Sequence, residues 1–141
     1  MIRLRLVAAA VLAATLVIAC DAAPTDRREV VLDGEVWEVL PATPDGMRGR
    51  DDFGGADGML FDLGGATDPS AVVFVMDGVR FPLDIGWFAE DGAILGWTTM
   101  PVCDAAPGPR HQAPRPFRWA LEAPVGAFDD MAPGARLEVE P

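Results

Sequence analysis

Five consecutive apolar residues, Val72-Val73-Phe74-Val75-Met76, stand between Asp68-Pro69 and Asp77-Gly78 and constrain the fold more than any other stretch. The run is too short for a buried helix and rich in β-branched side chains. Its length and content predict a strand covered on both faces. Beyond it, Leu83-Asp84-Ile85-Gly86-Trp87-Phe88 and Ile94-Leu95-Gly96-Trp97 flank Glu90-Asp91-Gly92. Asp and Gly accept the positive φ of tight hairpin turns, so these segments predict two antiparallel strands. The same logic reads 29–32 and 35–40 as a hairpin around Asp33-Gly34, ended by Pro41.

The remaining segments extend this pattern. Gly58 to Leu63 reads as a strand. Phe117 to Glu122 alternates, with Phe117, Trp119 and Leu121 predicted to face inward, and 136–140 alternates as a final strand. Thr43-Pro44-Asp45 predicts a capped helical turn running to Arg50, and 125–131 predicts one or two more turns. Residues 101–116 hold Pro101, Pro107, Pro109, Pro114 and Pro116 with the single His and the second Cys. So many missing N–H donors exclude a ladder or helix, which leaves a long surface loop. Short strands cut by Gly and Pro, with little helix, predict a two-layer all-β domain. Phe61, Phe74, Ile85, Phe88, Leu95, Trp119 and Leu121 are its expected core.

The first twenty residues have a different character. Arg3 and Arg5 precede an uncharged stretch, 6–19, that ends in Val17-Ile18-Ala19-Cys20. The stretch falls short of the roughly twenty apolar residues of a membrane span. It resembles a bacterial-type lipoprotein signal. On that reading 1–19 is a signal peptide, and Cys20 becomes the mature terminus with a diacylglyceryl thioether and an acylated amine. Residues 20–28 are then a linker, and 29–141 a single domain held to the extracytoplasmic face of a membrane by two or more chains.

Charge and composition exclude several functions. The net charge is −11, the eleven basic residues are all Arg, and the lost signal would carry two of them away. So acidic a surface repels phosphate backbones, and nucleic acid is not expected as a partner. One Ser, one His and no Lys, Tyr or Asn remove most nucleophile and base pairs. Ser70 lies in Pro69-Ser70-Ala71, unlike the elbow that exposes a hydrolase nucleophile, and reads as a turn serine. Cys103 and His111 share one loop, either as an activated thiol or as a solitary cysteine beside a solvated histidine. They lack the paired spacing of a zinc site. Asp51, Asp52, Asp57 and Asp62 lie in a Gly-rich segment but without calcium-loop spacing, and read as a solvated face. No metal or cofactor is expected.

Asp84 stands out among large apolar neighbours. Either it forms a structural ion pair with Arg48, or Arg48 and Asp84 line a ligand-binding cleft with Trp87 or Trp97.

The segments Met47-Arg48-Gly49, Gly58-Met59-Leu60-Phe61, Phe74-Val75-Met76, Pro82-Leu83-Asp84-Ile85, Asp91-Gly92 and Met100-Pro101-Val102-Cys103 resemble, in order and spacing, the family called domain of unknown function 192 (DUF192). The resemblance spans about residues 30–140. It implies a jelly-roll β-sandwich with short helices in an exported or lipid-anchored protein, and no activity. Family members often carry two loop cysteines five positions apart; here Gly108 meets Cys103, so that bridge is absent. The chain is therefore expected to be a lipid-anchored binding or assembly module without catalysis. The alternative is a small carboxylate-centred enzyme or cleft acting on a small or carbohydrate-like substrate.

Overall fold

The computed structural model describes residues 26–141; the expected signal peptide, Cys20 and most of the expected linker lie outside the described residues. Seven strands form one sheet: β1 (Arg28–Leu32), β2 (Glu35–Pro41), β3 (Gly58–Thr67), β4 (Leu83–Phe88), β5 (Ile94–Met100), β6 (Phe117–Pro124) and β7 (Leu137–Glu138). Their order is β5-β4-β6-β3-β2-β1-β7. Both predicted hairpins are present. Asp33 at φ 51° and Gly34 at φ 82° make the β1–β2 bend, where both central residues need positive φ. All pairings are antiparallel except β2–β3, whose parallel register needs the long crossover 42–57.

The sheet curls until its two ends meet at one corner. Ala93, just before β5, bridges Arg136, just before β7. Leu137 donates its N–H to the Gly92 carbonyl at 2.8 Å, and Ile94 donates to Ala135 at 3.0 Å. Gly92 is required there, because a Cβ would lie 2.1 Å from the Leu137 carbonyl oxygen and φ is 86°. The protein is thus all-β, as expected, but with one curled mixed sheet in place of the predicted two-sheet jelly roll.

Each face of the sheet covers a separate core. Val30, Leu32, Leu60, Phe88, Leu121 and Phe128 converge inside the curl. On the outer face Met59, Leu83, Ile85, Trp87 and Ala120 are covered by loops 42–57, 68–82 and 101–116, which contribute Met47, Phe53, Phe74, Met76 and Ala113. Loops supply the second layer that a second sheet was expected to supply. This is why β4 is buried at all six positions: it lies inside the strand order and is covered on both faces.

Three further expectations are corrected by this arrangement. The 72–76 run is no sheet strand; Phe74 alone bridges, exchanging hydrogen bonds with His111 at 2.9 and 2.8 Å. Phe74 and Met76 point into the outer core while Val75 is exposed, so the run is an extended strip of the loop layer. Neither helical segment forms. Residues 43–50 and 124–131 are successions of i to i+3 turns, and the described residues contain no helix. Finally, Phe117 joins the outer core while Trp119 and Leu121 face the inner one. The β3–β6 ladder slips between Asp62 and Thr67, and a slip of register exchanges faces.

Candidate functional site

The outer face carries a groove of about 630 Å³ between β3 and the loop segments around Met47 and Phe74. Its apolar walls include Met47, Leu60, Phe61, Leu63, Val73 and Phe74. Phe61 and Phe74 meet edge to face, centroids 5.3 Å apart. Arg28, Arg48, Asp45, Asp62 and Asp77 add charge to the lining.

Glu122 of β6 also lines this groove. Its backbone pairs with Met59 on one side and Ile85 on the other, both fully buried. The residue is only 6 % exposed, and its Oε2 is buried without a hydrogen-bond partner. A Cβ on Gly46 would lie 3.8 Å from that oxygen and 3.5 Å from the Phe61 ring, so the turn at Gly46 roofs the carboxyl. Burial disfavours the charged form and pushes the Glu122 carboxyl up to about 7.

A neighbouring carboxylate behaves in the opposite way. Burial works against ionised Asp62 too, but the Arg118 guanidinium at 3.2 Å and the Gly64 N–H outweigh it and hold Asp62 below the ordinary range. Arg118 in turn stacks 4.4 Å over the Trp119 ring. One wall therefore holds a fixed anion, and the floor a carboxyl poised near neutrality.

The four residues proposed from sequence do not converge. Asp84 is fully buried and has no arginine partner; it accepts hydrogen bonds from Thr99 Oγ1 at 2.6 Å and the Gly126 N–H at 2.9 Å. It clamps β4 to β5 and to the turns after β6. Arg48 sits on the rim of the groove, its stem against Gly78 and its Nε donating to the Asp77 carbonyl at 3.1 Å. Trp87 is in the outer core, 6.4 Å from Phe74. Trp97 is 40 % exposed and leans on Phe128 at 6.1 Å. Of the four, only Arg48 lines the groove.

Sequence reasoning missed Glu122 because strict alternation from Phe117 turned it toward solvent. The only available signal was its place between Leu121 and Ala123 in a strand apolar on both sides.

The other candidate chemistry is dispersed. Ser70 donates to Asp68 at 2.6 Å on the surface. Cys103 donates to the Ala105 carbonyl at 2.9 Å, while His111 Nε2 is buried without a partner and burial lowers the pKa of the imidazole. Asp51 pairs with Arg80, Asp52 caps Gly54 N–H, and Asp57 accepts from Glu38 N–H. Among the described residues no three acidic, His or Cys side chains gather as a metal site.

The fold and groove define a class: a small all-β domain with one curled sheet, loop-covered on its outer face, with a buried carboxyl that lacks a partner at the groove. The DUF192 family model, described as an uncharacterised ACR, matches residues 23–139, and the chain belongs to that family. Two solved structures share the fold. One is from Sinorhizobium meliloti 1021 and is described as a candidate transcription regulator; it is 27 % identical, with 79 % of this chain and 92 % of that one covered and a TM-score of 0.64. The other, a protein of unknown function from Novosphingobium aromaticivorans DSM 12444, is 22 % identical over 80 % and 85 % of the two chains, with a TM-score of 0.65. A search of curated proteins finds no match.

Proposed function

We propose that this protein is a lipid-anchored, extracytoplasmic binding module that takes a small ligand in the groove above Glu122 and does no chemistry on it. The observation that carries the reading is the unpartnered Oε2 of Glu122, buried at the floor of the groove among Met47, Phe61 and Phe74. A bare buried carboxyl is costly to keep, and a ligand that supplies the missing partner recovers that cost. Anchoring rests on the Arg3 to Cys20 pattern. The −11 charge argues against nucleic acid, despite the description carried by one structural neighbour.

Two experiments test the reading. Mass spectrometry of membrane-extracted protein should find Cys20 acylated at the new terminus, and Cys20→Ala should release the protein from the membrane. A fragment screen by NMR should find binders that shift Met47, Phe61 and Phe74 together; a screen without such shifts refutes the groove. A second reading, general acid–base catalysis, is favoured by the carboxyl of Glu122 lying near 7. It requires groove binders to be converted to product, with Glu122→Gln abolishing turnover while leaving binding in place.

A further inference from the structure

We infer that the ligand of this groove is a small organic cation, an ammonium on an apolar body, whose N–H donors pair with the buried carboxyl of Glu122. The inference rests on the proposal that the groove is a binding site, and names its ligand class.

The charged groups facing Glu122 across the groove come from four elements: Arg28 of β1, Asp45 and Arg48 of the 42–57 crossover, Asp62 of β3, and Asp77 of the 68–82 loop. Neither arginine serves the carboxyl. Arg28 is engaged by the Glu140 carbonyl and Arg48 by the Asp77 carbonyl. The one buried acceptor on the floor thus lacks both a donor and a positive charge. Asp45 and Asp77 on the lining balance the two guanidiniums and Arg118 balances Asp62, so no excess positive charge guards the groove, and the net charge of −11 on the whole chain draws cations. An ammonium brings three donors and the missing charge at once. An alcohol brings one donor and no charge, and a carboxylate is repelled once Glu122 ionises. Phe61, Val73 and Phe74 suit the apolar remainder of such a ligand.

Proton balance follows from the state of the empty site. Below about pH 7 burial keeps Glu122 protonated. When the ammonium enters, the carboxyl O–H bond breaks, its proton goes to buffer, and a carboxylate–ammonium pair remains. Alkylamines stay charged throughout this range, so the released proton comes from Glu122 alone.

The test is calorimetry on the full chain in neutral detergent with n-butylamine, 1-butanol and butyrate from pH 5.5 to 8.5, each pH in two buffers of different ionisation heat. Butylamine should bind at least tenfold tighter than butanol, with butyrate weakest. Its affinity should rise about tenfold per pH unit below about 7 and level off above it, with one proton released on the acid side. Glu122→Gln should lose both the preference and the pH slope, and the slope in the native sequence tests the inference even if that variant fails to fold. Butanol or butyrate binding as tightly as butylamine, or an amine affinity flat with pH, overturns the cation while leaving the groove as a binding site if Met47 and Phe61 still shift in NMR. Absence of shifts with all three probes overturns both.

Discussion

Glu122→Gln should make the protein more stable at pH 8 than the native sequence and nearly indifferent to the change at pH 4.5. In the folded state the carboxyl holds its proton up to about 7, against an ordinary value of 4.5. Between those limits the folded protein binds more protons than the unfolded chain, so stability falls as pH rises and the loss is complete above 7. At 1.36 kcal/mol for each factor of ten, the loss amounts to about 3 kcal/mol. Glutamine keeps the shape and cannot ionise; whatever its amide adds is independent of pH. Asp62 does not confuse the reading, because its lowered pKa matters only as pH falls below about 3.8. The assay is urea denaturation of both proteins from pH 4.5 to 8.5, with the difference in unfolding free energy plotted against pH. Parallel curves across that window would refute the account of Glu122 as a buried carboxyl without a partner.

Other expectations follow from the same geometry. Asp84→Ala leaves the Gly126 N–H and the Thr99 hydroxyl without their acceptor and should cost about 3 kcal/mol, read by chemical denaturation; a cost under 1 kcal/mol would mean the clamp is not structural. Gly92→Ala should detach β7, because the added methyl meets the Leu137 carbonyl, and faster hydrogen exchange at Leu137 and Ile94 reports it. Gly108→Cys should close a bridge to Cys103: a Cβ built on Gly108 lies 3.1 Å from the Cys103 Cβ and 2.5 Å from its Sγ, so a small local shift suffices. The short loop enclosed should add about 2 kcal/mol, lost again under reductant; a thiol that stays free under oxidant rejects that placement of the loop.

Local chemistry made much of this protein legible before its fold. Asp33-Gly34 and Asp91-Gly92 specify bends that few other residue pairs permit, so both hairpins could be read from neighbours in the chain. The prolines of 101–116 excluded regular structure for an equally local reason. The all-β class and family membership followed from these signals and from motif spacing. The cover on each face of the sheet could not be read in that way. Val72–Met76 has the composition of a core strand but spends its apolar side chains roofing the outer face, a role that depends on where 101–116 lies. Glu122 and Asp84 show the same divide. Both are acids in apolar strands, yet one has two donors and the other none, because the strand order and the turns at Gly126 and Gly46 decide what each carboxyl meets. Turns and strand character are set within a few residues; burial, partner and protonation belong to groups distant in sequence, and only the folded sheet brings them together.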